Sequence, residues 1–215
     1  MTSDDARPMQ RLMTAWSNLV SAVREDHATM QDYHGRYRST DHVSSLGKDL
    51  IERVGFQIIA SYRVMRFLHE ARVPLGPKLA SRAIRLVYGS DIHWEAQIAP
   101  GVVVVHGMGM AISRSARVGK GSILFQNITL AESADASTRT VGAPQIGDRV
   151  HIGPGAALIG PITVGNDTKI VAGSTLLESV PSGSRVQAPV PRIVPRGQSH
   201  GVVPEHVASD PPQAK

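Results

Sequence analysis

The sequence predicts a mainly β protein, a parallel β-helix of hexapeptide repeats that follows an N-terminal helical region and precedes a short tail. Two observations carry this prediction: aliphatic residues recur at every sixth position over most of 98–176, and only 4% of the 215 residues are aromatic. A period of six fits neither the ~3.6-residue period of a helix nor the alternation of a strand, whereas it is typical of a parallel β-helix. Each hexad places one aliphatic side chain in a narrow prism, which leaves little space for rings.

Residues 1–42 predict an amphipathic helix and a linker. Apolar residues, among them Met9 and Trp16, recur at helical spacing over 4–30 and form one face. We expect this face to pack against the rest of the chain or against another copy. Residues 31–41 are polar and show no period, which indicates a linker to the next domain.

Residues 43–90 predict a helical domain. Apolar residues step by three or four over 46–72, and Pro74 then interrupts the chain. A shorter helix follows over 78–88, and Gly89 is placed to cap its C-terminus. This domain carries eight basic and three acidic side chains, so nearly all of the net charge of +5 lies here.

The repeats define a third domain over 91–195. The periodic aliphatic residues share the six-residue spacing in two blocks: Ile98, Val104, Ile112, Val118, Leu124 and Leu130, then Ile146, Ile152, Leu158, Val164, Ile170 and Leu176. The phase shifts by two residues between Val104 and Ile112, and 131–145 interrupt the period. Three hexads close one coil, and the coils stack through backbone hydrogen bonds. The remaining residues, 196–215, form a tail with too little apolar content to fold alone.

Composition excludes several classes of protein. The chain has no Cys, which excludes a disulfide scaffold, a Cys-ligated metal site and a thiol nucleophile. It has no Lys/Arg block and few aromatic residues, which argues against nucleic acid as a partner. No apolar run approaches the roughly 20 residues that span a bilayer, and the N-terminus lacks the apolar core of a signal peptide. We therefore expect a soluble, cytoplasmic protein that binds neither nucleic acid nor membrane.

One histidine lies where the repeat slips. His106 follows Val104 and precedes Gly107 and Gly109, so we expect its imidazole to point outward beside an open corner. Asp91 lies fifteen residues earlier, close to one coil, and residues one coil apart share a face. We expect Asp91 to orient His106 as an acid orients a general base. The alternative is a structural histidine in a glycine-rich turn.

Several motifs together resemble the serine O-acetyltransferase family, which works in cysteine synthesis. Asp91-Ile-His93 is similar to the family's D-I-H-P, and His106-Gly-Met-Gly109 is similar to its H-x-T-G. Upstream, Gly55-Phe-Gln57 and Tyr62-Arg63 resemble the helix that precedes the β-helix there. The end of the domain, Ala188-Pro-Val-Pro-Arg-Ile-Val194, resembles G-V-P-A-R-I-V. The resemblance covers roughly 43–195.

The resemblance implies a left-handed β-helix that assembles as a homotrimer, with acetyl-CoA as co-substrate and no metal. In that reading His106 takes the proton from a substrate hydroxyl, which attacks the thioester directly, and Asp91 stabilises the imidazolium. The residues it assigns to coenzyme A are Ala172, Gly173, Lys169 and Arg192, with Arg185 as a further cation for the phosphates. The residues it assigns to the hydroxyl acceptor are Asp41 and Gln126. A zinc centre is disfavoured, because it needs three convergent histidines.

The sequence departs from the family at acceptor positions. Val105 stands where the family has Asp before the catalytic His, and Val141, Gly142 and Ala143 stand where it has Asp-Arg-His. Loss of a cationic pair weakens the binding of a carboxylate-bearing substrate. Three hypotheses remain: a serine O-acetyltransferase, an O-acetyltransferase for a different hydroxyl (another amino acid, a sugar or a natural-product intermediate), and a non-catalytic trimeric paralogue.

Overall fold

The computed structural model describes residues 8–37, 44–134 and 139–188, and it places four helices before a left-handed parallel β-helix of five coils. The helices are α1 Pro8–Tyr37, α2 Leu46–Glu52, α3 Val54–Glu70 and α4 Gly76–Tyr88. This architecture confirms the predicted fold class. Within the described ranges, no helix combines the length and the apolar composition that crossing a bilayer requires.

The helical region differs from its prediction in two places. Helix α1 continues to Tyr37, so the linker predicted over 31–41 is wrong for its described part. Met30 is buried and Tyr33 packs against the core, so the helix still has a face to bury there. The segment 46–72 is two helices, because Arg53 adopts an extended backbone (φ −110°, ψ 100°) that ends α2 and begins α3. Gly89 caps α4 in the left-handed conformation, as predicted.

The apolar face predicted on α1 is largely unpacked at its N-terminal end. Met9 and Met13 are 68% and 66% exposed. The helix instead buries Ala15 and Ala22, since small side chains allow two helices to approach closely. Met9 and Met13 therefore do not pack within the chain, and packing of this face against another copy stays a prediction. Trp16 makes an edge-on ring contact with Phe67 of α3.

The strands are two or three residues long. In chain order they are β1 Asp91–Ile92, β2 Gln97–Ile98, β3 Val103–Val104, β4 Ala111–Ile112, β5 Arg117–Val118, β6 Ile123–Leu124, β7 Thr129–Ala131, β8 Ser133–Ala134, β9 Val141–Gly142, β10 Gln145–Ile146, β11 His151–Ile152, β12 Ala157–Ile159, β13 Thr163–Val164, β14 Lys169–Ile170, β15 Thr175–Leu176 and β16 Arg185–Val186. Three parallel sheets form the faces: sheet A (β1, β4, β7, β12, β15), sheet B (β2, β5, β10, β13) and sheet C (β3, β6, β11, β14, β16).

The register of these sheets confirms both irregularities in the repeat. Asp91 pairs with Ala111, and Ala111 pairs with Thr129, so the first coil is two residues longer than the second. The antiparallel hairpin β8–β9 accounts for the interruption predicted over 131–145. All twelve predicted hexad residues are buried. Phe125 lies outside the prism, where its ring contacts His151.

Two adjacent residues of α3 attach the helices to the first coil. The Tyr62 hydroxyl donates to the Ala96 carbonyl (2.5 Å) and accepts from the Ile98 N–H (3.2 Å). Arg63 donates to the Asp26 carboxylate through Nε and Nη2 (2.8 and 3.0 Å) and to the Ile98 carbonyl through Nη1 (2.5 Å). Asp26 and Arg63 are buried. This pair therefore fixes α1, α3 and the first coil relative to one another.

Candidate active site

His106 lies in the turn that joins β3 of sheet C to β4 of sheet A. Its backbone is left-handed (φ 62°) and its side chain is exposed. A Cβ at Gly107 would lie 2.4 Å from Val104 Cγ1, and a Cβ at Gly109 would lie 2.1 Å from Asn127 Oδ1. Both glycines also have positive φ, so a larger residue at either position would be crowded and would strain the backbone. The turn presents the imidazole to solvent.

Helix α3 packs directly against the backbone that carries His106. A Cβ at Gly55 would lie 2.0 Å from the Val104 carbonyl oxygen and 3.3 Å from the His106 nitrogen. Ile58 Cδ1 lies 3.0 Å from the Cβ position of Gly107. These contacts explain why glycine begins the Gly55-Phe-Gln57 motif, since any side chain would push the helix away from the turn.

Asp91 does not stack on His106. The first coil is long enough that Asp91 pairs with Ala111 across sheet A. Among the described residues, no hydrogen bond or ion pair joins the Asp91 carboxylate to His106, and its Oδ1 lies 2.9 Å from Arg85 Nη2 instead. Both partners of this ion pair are about half exposed.

Ser90 links Asp91 to the His106 turn. Its hydroxyl donates to the Gly107 carbonyl (2.8 Å) and accepts from the Met110 N–H (3.3 Å), and the Asp91 N–H donates to the Met110 carbonyl (2.7 Å). Ser90 is fully buried, so the start of β1 is held against the turn. Sequence reasoning missed Ser90, which belongs to no motif and no repeat position.

An apolar column runs along the outside of sheet C from the His106 turn. It consists of the residue that follows each strand: Val105, Phe125, Gly153 and Val171. Strands β3, β6, β11 and β14 pair in register, so these four residues follow one another along the helix axis. Val105, Phe125 and Val171 are each partly exposed, whereas Gly153 is buried and separates Phe125 from Val171.

A basic column lies beside the apolar one. His151 pairs with Lys169, and Lys169 pairs with Arg185. The His151 ring lies 5.0 Å from the Phe125 ring. Burial, together with the charge of Lys169, lowers the pKa of His151. Lys169 and Arg185, both exposed, therefore supply the positive charge of this column at neutral pH.

The other predicted ligand residues have three different outcomes. Ala172 and Gly173 are exposed in the turn after β14, and a Cβ at Gly153 would lie 2.6 Å from the Ala172 nitrogen. Gln126 follows Phe125, and its buried Oε1 has no hydrogen-bond partner in the part of the chain that the structure describes, which leaves this amide oxygen available to a donor. The predicted residues Asp41 and Arg192 lie outside the described residues.

Two of the cavities formed by the described residues lie near the helices. The smaller, of about 180 Å³, opens on sheet A beside Asp91, Arg85 and His93. Burial lowers the pKa of His93 and outweighs the nearby Glu95 carboxylate. The larger, of about 570 Å³, lies between α1, α3 and sheet B and contains neither His106 nor Asp91. Within 8–37, 44–134 and 139–188, no three metal-binding side chains converge.

The chain is similar in sequence to serine acetyltransferases. Residues 143–178 match the family model described as bacterial transferase hexapeptide (six repeats). A serine acetyltransferase from Synechococcus elongatus is 34% identical over 142 residues, which are 66% of this chain and 57% of that one. A serine acetyltransferase from Helicobacter pylori is 32% identical over 130 residues, 60% of this chain and 75% of that one.

Solved structures share the fold. Serine acetyltransferase isoform 3 from Entamoeba histolytica, in complex with cysteine, has a TM-score of 0.72 and 24% identity, covering 88% of this chain and 65% of that one. A serine acetyltransferase in complex with CoA has a TM-score of 0.67 and 23% identity, covering 79% and 66% of the two chains. These likenesses agree with helices followed by a left-handed β-helix.

Proposed function

Because the chain belongs to the serine acetyltransferase family, we propose that it is an acetyl-CoA-dependent O-acetyltransferase that acts on a substrate hydroxyl. The proposal rests on one observation: the exposed His106 lies at one end of the apolar column, and the basic column runs beside that column. Acetyl-CoA has the complementary chemistry, with a thioester on a long arm and a polyanionic end. The related enzyme solved with CoA supports the same assignment.

His106 is the general base of this proposal. Its imidazole takes the proton from the acceptor hydroxyl as the oxygen attacks the thioester carbonyl, and a C–O bond forms. The C–S bond then breaks, and the imidazolium returns the proton to the leaving thiolate. The chain has no Cys, so no Cys thiol forms an acyl intermediate, and the transfer proposed here is direct.

Asp91 is the orienting acid of this proposal. A carboxylate near a general base holds one imidazole tautomer and stabilises the imidazolium that forms. The hydrogen bonds of Ser90 and of the Asp91 backbone fix β1 to the turn that carries His106. A change of side-chain rotamer at Asp91 is then the step that brings its carboxylate to the imidazole.

The CoA groove is proposed to run along sheet C. Lys169 and Arg192 meet the phosphates, and Ala172 and Gly173 contact the pantetheine arm through their backbone. Replacing a phosphate contact weakens binding more than chemistry, so Lys169→Gln is expected to raise the KM for acetyl-CoA several-fold with kcat nearly unchanged. Lys78→Gln, which removes the same charge from the exposed surface of α4, is the matched control. Equal KM values in the two variants would remove Lys169 from the groove.

We propose a homotrimer that acts in the cytoplasm, where acetyl-CoA is available. A second copy beside sheet C would close the groove over both columns. Asp41 and Gln126 are proposed to contact the acceptor. Sedimentation equilibrium tests the assembly, and a monomer that transfers acetyl at full rate would contradict it.

Acceptor-dependent release of the CoA thiol tests the function. The protein is mixed with acetyl-CoA and L-serine, and the thiol is followed by colour while the acetylated acceptor is identified by mass spectrometry. Thiol release that requires the acceptor supports the proposal. If acetyl-CoA binds and no hydroxyl compound is acetylated, the protein is a non-catalytic paralogue and the proposal is wrong.

A different hydroxyl acceptor is the second candidate. Val105 and Met108 are sequence neighbours of His106, and Met108 is 54% exposed. Val141 on the β8–β9 hairpin, one of the three positions that depart from the family's Asp-Arg-His, is 69% exposed. These apolar side chains fit a zwitterionic amino acid poorly. A panel of amino-acid, sugar and apolar alcohols in the thiol assay separates the two candidates. A higher kcat/KM for an apolar alcohol than for L-serine decides for the second.

A further inference from the structure

Arg85 holds the carboxylate that the mechanism needs. Its Nη2 lies 2.9 Å from Asp91 Oδ1, with both side chains about half exposed. Arg85 belongs to the last turn of α4, six residues before Asp91. Oδ1 is the oxygen that this ion pair occupies, and within the described residues the carboxylate makes no hydrogen bond or ion pair with His106.

Asp91 and His106 nevertheless share one rigid support. Ser90 donates to the Gly107 carbonyl (2.8 Å), and the Asp91 N–H donates to the Met110 carbonyl (2.7 Å). The backbones of Asp91 and the His106 turn therefore move together. The position of the Asp91 side chain, not that of its backbone, decides whether its charge reaches the imidazole.

We propose that Arg85 competes with His106 for the Asp91 carboxylate and is a positioning residue of the active site. The proposal rests on the proposed function, in which Asp91 supports His106. Exposed ion pairs are weak, so Arg85 does not lock the carboxylate. The cavity of about 180 Å³ beside Arg85 and Asp91 gives both side chains room to change rotamer. Arg85 therefore sets the share of time that Asp91 spends with His106.

Removal of the Arg85 guanidinium is expected to stabilise the charged form of His106. The carboxylate is released toward the imidazole, and a carboxylate near the imidazole stabilises the imidazolium. Among the described residues, His93 also interacts electrostatically with Asp91, and His93 in turn interacts with Glu95, Arg114 and Glu132. Replacing Arg85 leaves these groups in place, so their electrostatic effect is the same in the variant and in the native chain.

The test is the titration of His106 in the full chain. Histidine side chains are labelled with ¹⁵N, and the His106 signal is assigned by its loss in His106→Asn. Arg85→Gln is expected to raise the His106 titration midpoint, while Arg85→Lys, which keeps the charge, leaves it near that of the native chain. Arg82→Gln removes the same charge from an exposed position one turn earlier on α4 and is expected to leave the midpoint unchanged.

A second pair of proteins tests whether Asp91 carries the effect. In an Asp91→Asn background, Arg85→Gln is expected to lose most of its effect on the midpoint. An Arg85→Gln midpoint that is unchanged or lowered, or an equal shift with and without Asp91, would overturn the competition.

Kinetics separate this proposal from the proposed function. If acetyl transfer occurs, the acidic limb of kcat/KM should move with the titration midpoint in Arg85→Gln. If the native protein acetylates no acceptor, the proposed function fails, while the titration still decides whether Arg85 and His106 compete for Asp91.

Discussion

The helical region and the β-helix are held together by different physical means. The helices bury charges: Asp26 pairs with Arg63, and Asp49 pairs with Arg53 and with His27. The coils bury one aliphatic residue per hexad and leave their ion pairs on the surface. The same aliphatic packing recurs in every coil, whereas a buried ion pair such as Asp26–Arg63 forms at one position. The polar contacts of the helices therefore position them against the first coil. The His106 turn lies where the two regions meet.

The largest expected effect comes from breaking the buried pair of the helical region. Asp26→Asn leaves the Arg63 guanidinium buried beside a neutral amide, and breaking such a pair lowers the free energy of unfolding by about 3–5 kcal/mol. Urea-induced unfolding measures this change. Asp167→Asn is the matched control in the coils, because Arg149 and Asp167 form an exposed pair (2.7 Å), and it is expected to produce no measurable change. Equal decreases in the free energy of unfolding in the two variants would contradict the difference between the helical region and the β-helix.

A smaller effect is expected where the two regions touch. Gly55→Ala places a Cβ 2.0 Å from the Val104 carbonyl oxygen, and overpacking of this kind lowers the free energy of unfolding by about 1–3 kcal/mol. The helix and the His106 turn must separate, so acetyl transfer should fall more than acetyl-CoA binding. Gly47→Ala is the control, since its Cβ would meet nothing within 4 Å, and it should raise the free energy of unfolding by about 0.5–1 kcal/mol. A native transfer rate in Gly55→Ala would contradict the close packing.

The smallest effect is a pH dependence confined to the helical region. Burial alone would raise the pKa of Asp49, but the hydrogen bonds from Arg53 and His27 outweigh it and lower this pKa below its ordinary value of 3.8. A carboxylate whose pKa is lowered by folding stabilises the fold above that value, and the contribution is lost as pH falls through the folded pKa. The difference in free energy of unfolding between the native chain and Asp49→Asn should therefore be largest near neutral pH and shrink below pH 3.8. A difference in free energy of unfolding that stays constant or grows as the pH falls would contradict this prediction.

The repeat-based part of the fold could be predicted from the sequence. A six-residue period leaves one arrangement in which every aliphatic residue is inside, and all twelve are buried. The slip before Ile112 and the interruption over 131–145 appear as a longer first coil and as the β8–β9 hairpin. The exposure of His106 followed from the glycines around it.

Contacts between distant segments could not be predicted. Nothing in the linear pattern says which carboxylate meets Arg63, because Asp26 lies on another helix. The spacing of Asp91 and His106 suggested stacking, but the slip lengthens the first coil, and Arg85 takes the carboxylate instead. The polar stretch after Met30 lacked a period, yet it stays helical because one side of it still meets the core.

The most direct measurement is acceptor-dependent thiol release by the native chain and by His106→Ala. His106 is exposed, so the variant should bind acetyl-CoA normally, and His106→Asn serves as a second variant because Asn tolerates the left-handed backbone. Loss of a general base predicts a fall in kcat/KM of about 10²–10⁴-fold with acetyl-CoA affinity unchanged. Retention of more than roughly a tenth of the native kcat/KM, far above that range, in either variant would contradict the central claim that His106 performs the transfer.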